Sequence, residues 1–101
     1  MPKMSVTVPH TLGQAAAALR LGGFMEEVQK KYADQLKIVE QNFGQTGGTF
    51  AFKTMGMTIN GRTEVRESEV LVECDLPFAA MMFKDKAEKA IRKNLTRSLE
   101  G

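Results

Sequence analysis

The sequence holds few residues that could do chemistry, and they do not form a catalytic set. His10 is the one histidine and Cys74 the one cysteine in a chain of 101 residues. A nucleophile needs a positioned base, and a metal centre needs three or four clustered ligands. Neither residue has such partners at a recognisable spacing. We therefore predict no catalytic residue, no metal site and no cofactor, and a protein that is not an enzyme.

Each of these features has a structural interpretation instead. Cys74 alternates in phase with the valines of a predicted strand, which indicates a small buried side chain. His10 lies just before a predicted helix, a position typical of a surface loop or of the start of a helix. Residues 44–48 are rich in glycine but lack the lysine and the following helix of a phosphate-binding loop, so they indicate a turn.

The most distinctive stretch is apolar. Residues 77–83 carry no polar side chain, and we refer to residues 78–83 as the apolar segment. A helix with one buried face carries polar residues on its other face, and this turn has none. Either the segment is enclosed by the fold or by a second subunit, or it is a contact surface. The contact surface would bind a hydrophobic ligand, a lipid layer or a polymer through Phe78, Met81, Met82 and Phe83.

Composition excludes several classes of protein. The length predicts a single domain spanning residues 1–101, and 43% hydrophobic with 26% charged residues is typical of a folded globular chain. A net charge of +2 is too small to indicate nucleic-acid binding. A lone cysteine cannot form an internal disulfide. We see neither a signal sequence nor a run of about 18 apolar residues, so we expect no membrane span and a cytoplasmic location.

Hydrophobic periodicity predicts the element order β-α-β-β-β-β-α. The predicted strands cover residues 3–8, 36–43, 49–54, 57–66 and 70–76. The predicted helices run from an N-cap at Thr11 to about residue 32 or 33, and from about residue 78 to 98. Strands that alternate between apolar and polar residues indicate an antiparallel sheet with one wet face. The fold class is therefore α+β, with two layers and helices on one face of the sheet.

Two glycine-containing pairs carry local predictions. Gly22 and Gly23 fall in the middle of the first helix, where they favour a kink or a close packing contact. Asn60 and Gly61 fall within the fourth strand, where they favour a glycine bulge over a hairpin turn. Lysines and an arginine at 86, 89, 93 and 97 form a basic strip along the second helix that could meet anionic head groups.

Several stretches together resemble one known family. Residues 75–83, DLPFAAMMF, and the following AEKAIRKNL look like the C-terminal signature of the small polyhydroxyalkanoic acid system proteins. The opening SVTVPH and the middle stretches FAFK and MGM are similar to the same family, so the resemblance covers nearly the whole chain. It implies a bacterial protein whose gene lies near those for polyhydroxyalkanoate synthesis and granule formation. It supplies no catalytic residues.

The resemblance leads to two functional hypotheses. The first is a non-enzymatic accessory protein that meets polyhydroxyalkanoate granules, or granule proteins, through its apolar surface, with a homodimer as a further option. The second is a binding module for a hydroxyacyl or other fatty ligand, because the layout is similar to a cut-down helix-grip fold. Its cavity would lie between the C-terminal helix and the sheet and be lined by Phe50, Phe52, Met57, Ile59, Val72 and Leu95.

Overall fold

The computed structural model describes residues 3–100 and has the predicted α+β architecture. The strands are β1 (Lys3–Pro9), β2 (Leu36–Gly44), β3 (Gly47–Thr54), β4 (Met57–Val65) and β5 (Glu69–Asp75). The helices are α1 (Gln14–Lys31) and α2 (Lys84–Glu100), and the apolar segment Phe78–Phe83 is a 3-10 helix. All strand pairs are antiparallel, and the strand order is β1-β5-β4-β3-β2. The predicted fold class and element order are confirmed.

One half of the sheet is tightly covered by the helices. Burial alternates strictly along β1, and α2 packs against β1 and against α1. The largest fully buried side chains lie here, and we call this region the closed half: Val6, Val8, Val65, Val70 and Leu95. The apolar residues of β1 and β5 are buried together because every second side chain of a strand points to the same face.

The start of α1 differs from the prediction. Thr11 is exposed and Gly13 occupies the N-cap position, with a φ of 84° that favours glycine and with no side-chain cap. Hydrogen bonds to two residues distant in sequence replace the predicted capping box. The Gln14 backbone N–H donates to the Glu67 carboxylate at 3.3 Å, and the Gln14 side-chain amide donates to the Val65 carbonyl at 2.9 Å. Tertiary contacts thus satisfy the first helical turn.

The structure contradicts the predicted close packing contact at Gly22 and Gly23 and the predicted bulge at Gly61. Helix α1 continues through Gly22 and Gly23, and a Cβ on either would have nothing within 4 Å. The β3–β4 register is continuous through Gly61, so no bulge forms there. Gly61 instead makes room for an aromatic ring, because a Cβ on it would lie 2.4 Å from Phe50 Cζ. The sheet's register shift lies in β2, between residues 38 and 40.

The C-terminal segment is not one uniform helix. The apolar segment begins with a 3-10 hydrogen bond from the Ala80 N–H to the Pro77 carbonyl at 2.9 Å, and the α-helix starts only at Lys84. A tighter turn at the N-terminus of an α-helix is common. Among residues 3–100, no helix is both long enough and apolar enough to cross a membrane.

Candidate functional site

A groove of about 530 Å³ lies beside the closed half, between the helices and the inner face of β2, β3, β4 and β5. The C-terminal half of α1 forms one wall, and the apolar segment with the first turns of α2 forms the other. The lining is mainly apolar and includes Phe24, Met25, Val28, Ile38, Phe50, Phe52, Met57, Ile59, Val72, Leu76, Ala80, Phe83, Ala87 and Ile91. Its size is within the range typical of small-molecule sites.

Two phenylalanines of β3 form much of the floor. Phe50 and Phe52 are two residues apart, so both point to the inner face, and their rings lie nearly parallel with centroids 6.2 Å apart. Gly61 on β4 lies under the Phe50 ring, where any side chain would collide with it. The rim is more open. Met55, in the β3–β4 turn, is 76% exposed and yet lines the groove.

Polar side chains are a minority of this lining, and Tyr32, Gln35, Thr54 and Asn94 are among them. Thr63 lies on the inner face of β4 and is 5% exposed, and its Oγ1 makes no hydrogen bond to any residue in the range 3–100. Cys74 also lines the groove, and burial raises the pKa of its thiol to about 12. Lys84 and Lys86 are the charged residues of the lining in the described chain, and no carboxylate accompanies them.

The opposite face of the sheet has a different electrostatic character. Arg62 pairs with Glu73 at 3.2 Å, and Arg66 pairs with Glu64 at 3.1 Å, all on the surface. The hydrogen bond from Arg66 lowers the pKa of the Glu64 carboxyl. Opposite charges therefore meet on the outer face, whereas the part of the groove that the structure describes is lined by two lysines and by no carboxylate.

The apolar segment presents different residues to the groove and to solvent. A 3-10 helix has three residues per turn, so side chains three apart share a face. Ala80 and Phe83 face the groove and line it. Phe78 and Met82 are 85% and 82% exposed, and Met81 is 38% exposed. The segment is thus not enclosed within the chain, and it supplies both a groove wall and an outer apolar surface.

A family model supports the relationship that the sequence motifs suggest. The model for polyhydroxyalkanoic acid system proteins matches residues 4–99, which is almost the whole chain. The chain belongs to this family. A search of curated proteins gave no match. The matched range covers all or nearly all of every element of the fold, and it contains the groove and the apolar segment.

The structure separates the residues that we predicted to line a cavity. Phe50, Phe52, Met57, Ile59 and Val72 line the groove of this polyhydroxyalkanoic acid system protein. Leu95 does not belong to that lining. It is fully buried in the closed half instead, because it lies further along α2, where the helix packs on β1.

Sequence reasoning missed three residues of the site. Thr63 shares the inward phase of Met57 and Ile59, so a polar residue among apolar positions was the available signal. Nothing local in the sequence indicates the roles of Lys84 and Met55. Lys84 lies where the 3-10 helix meets α2, Met55 lies in the β3–β4 turn, and both line the groove.

Of the two positions that the sequence favours for His10, a surface loop or the start of the first helix, the structure contradicts the first and fits the second. The side chain is 9% exposed and accepts a hydrogen bond just before α1 begins. Its Nδ1 accepts a hydrogen bond from the Leu12 N–H at 3.1 Å, so its Nε2 carries the proton and donates to the Arg66 carbonyl at 3.1 Å. The ring therefore joins the start of α1 to the β4–β5 turn. Within residues 3–100, no three His, Cys, Asp or Glu side chains cluster as a metal site requires.

Proposed function

We propose that this protein is a non-enzymatic accessory protein of polyhydroxyalkanoate storage that binds the surface of the polyester granule through the apolar segment. One observation carries the proposal: four large apolar side chains of this six-residue segment are exposed, with Phe78 at 85% and Met82 at 82%. Membership of the family points to the polymer system. The exposed residues suggest the chemistry of the contact.

Burial of these side chains against a polymer gives a favourable free energy. Transfer of a fully exposed Phe or Met side chain out of water contributes roughly 1.5–3 kcal/mol. The segment holds no polar side chain whose desolvation would oppose this gain. Exposed lysines further along α2, at positions 89 and 93, would remain in water or meet anionic groups of a surface layer.

The proposal gives the protein no catalytic step. Both ring nitrogens of His10 are bonded to backbone groups, which leaves neither free to act as a base. The Cys74 thiol has a pKa near 12 and is almost inaccessible, so it would be a poor nucleophile. These two residues were the leading candidates for chemistry in the sequence. The remaining interpretation is a protein that acts by binding.

A sedimentation assay with polyester particles tests the proposal. The purified protein is mixed with particles of a polyhydroxyalkanoate, and the bound fraction is measured after centrifugation. The variant Phe78→Ser with Met82→Ser should bind at least about tenfold more weakly, because it loses two apolar contacts. Leu19→Ser is the matched control, since Leu19 is 80% exposed but lies on α1, outside the apolar segment.

The two variants make the outcome decisive. Both should keep the far-UV circular dichroism spectrum of the wild type, because the substituted side chains are mostly in water. Binding by the wild type and by Leu19→Ser, with loss in the double variant, is the expected result. A wild-type protein that stays in the supernatant, or a double variant that sediments as well as the wild type, would overturn the surface role of this segment.

A further inference from the structure

The groove has the features of a binding site for one class of small molecule. We propose that it binds a hydroxylated fatty acid, whose chain lies on the apolar floor. The chain hydroxyl bonds to Thr63, and the carboxylate lies beside Lys84 and Lys86. Three independent properties of the lining support this choice of ligand: its apolarity, a buried hydroxyl that has no partner in residues 3–100, and two lysines that no carboxylate of the lining accompanies in the same range.

The apolar walls fit a flexible aliphatic chain. Aromatic rings at Phe50 and Phe52 form a smooth floor, and Met25 and Met57 line the same space. Methionine side chains have three rotatable bonds and adapt to irregular apolar shapes. A groove of about 530 Å³ is large for a domain of 101 residues, whose stability depends on a close-packed core.

Thr63 indicates which polar group the aliphatic chain of the ligand should carry. Its Oγ1 is buried without a hydrogen-bond partner in residues 3–100, although buried hydroxyls are nearly always paired. Thr63 itself lines the groove, and a threonine side chain can exchange between staggered positions about its Cα–Cβ bond. A threonine hydroxyl donates one hydrogen bond and accepts others, so a ligand hydroxyl can bond with it in either sense.

Charge identifies the end group of the ligand. Lys84 and Lys86 stand on the first turn of α2, where the helix dipole is also positive. Asp85 lies between them in sequence but does not line the groove. The groove therefore lacks a negative group of its own within the described chain, and a carboxylate would supply it. A neutral alcohol or ester would leave both lysines without a partner.

This inference does not rest on the proposed contact with granules. Phe83 belongs to both surfaces, but the two proposals are tested at different residues, because Phe78 and Met82 do not line the groove. Thr63→Val should leave sedimentation with polyester particles unchanged. Phe78→Ser with Met82→Ser should leave fatty-acid binding unchanged. Failure of one proposal can thus be distinguished from failure of the other.

Calorimetry with matched ligands tests the assignment. The ligands are dodecanoate, two hydroxydodecanoates with the hydroxyl near the carboxylate or at the far end of the chain, and the methyl ester of dodecanoate. We expect one hydroxydodecanoate to bind about tenfold more tightly than dodecanoate, which is the gain from one good hydrogen bond. Thr63→Val should abolish this preference and retain the binding of dodecanoate.

The lysines are tested in the same way. Lys84→Ala with Lys86→Ala should weaken dodecanoate binding several-fold and leave the methyl ester unaffected, whereas Lys89→Ala with Lys93→Ala, outside the groove, should change neither. Three results would overturn the proposal: no binding of any of these acids, a hydroxyl preference that survives Thr63→Val, or equal weakening by both lysine pairs. Circular dichroism of each variant confirms that the comparison is made on folded protein.

Discussion

The two halves of the inner sheet face are built from similar side chains but packed to different degrees. In the closed half, Val6, Val70 and Leu95 have almost no contact with water. In the groove, Phe52 and Met57 are only partly buried, and the rim residue Met55 is largely exposed. Apolar character alone therefore does not decide which residues form the core. The position of the covering helix decides it, and α2 lies over β1 rather than over the centre of the sheet.

The largest expected effect compares two residues on α2. Leu95→Ala should lower the free energy of unfolding by about 3 kcal/mol, because it leaves a cavity in close-packed surroundings. Ile91→Ala, one turn earlier and on the groove wall, should cost about 1 kcal/mol, since that side chain is already partly in water. Urea denaturation followed by circular dichroism measures both. Equal losses would show that the two halves are packed alike.

The next effect has the opposite sign. Thr63→Val should raise the free energy of unfolding by about 1–2 kcal/mol, because it removes a buried hydroxyl that has no partner in residues 3–100. Thr58→Val, at an exposed position on the other face of the same strand, is the control and should change stability by less than about 0.5 kcal/mol. If Thr63→Val destabilises the protein, the hydroxyl contributes to the fold rather than to binding.

Sequence reasoning reached the fold but only part of the site, for physical reasons. The strands and helices follow from side-chain periodicity, which is a local property of β1, β5 and α2. The groove depends on the lateral position of α2, which no local pattern encodes, and so Leu95 was assigned to the wrong region. The predicted N-cap at Thr11 was wrong because the start of α1, too, depends on a contact between distant parts of the chain. A local capping box at Thr11 was outweighed by a distant carboxylate, that of Glu67.

The third effect is a pH dependence of stability that reports whether water reaches Cys74 on the groove floor. The pKa of the Cys74 thiol is raised from its ordinary value of 9.0 to about 12 by burial, so the fold favours the neutral thiol. The contribution of this thiol to stability is complete below pH 9 and is lost as the pH rises from 9 toward 12. In that range the free energy of unfolding should fall by about 1 kcal/mol per pH unit more in the wild type than in Cys74→Ala.

Comparison with Cys74→Ala controls for the other groups that titrate at high pH. Lysine and tyrosine side chains ionise in the same range, and both proteins carry them equally. The difference between the two unfolding curves therefore isolates the thiol. Parallel curves would mean that Cys74 ionises as readily in the folded protein as in the unfolded chain. The floor of the groove would then be wet, and its distinction from the rim would disappear.

The smallest effect concerns α1, which borders the groove with its C-terminal half. Gly22→Ala and Gly23→Ala should each raise the free energy of unfolding by up to about 1 kcal/mol, because alanine favours the helix and its Cβ would meet no atom within 4 Å. Thermal unfolding of the single variants measures this gain.

Ligand binding should stay unchanged if the groove wall is a rigid helix. A loss of stability, or altered fatty-acid affinity in either variant, would instead indicate that α1 bends at the glycine pair when the groove is filled. Close packing around the closed half would then coexist with a wall that moves, and the difference between the two halves would extend from packing to dynamics.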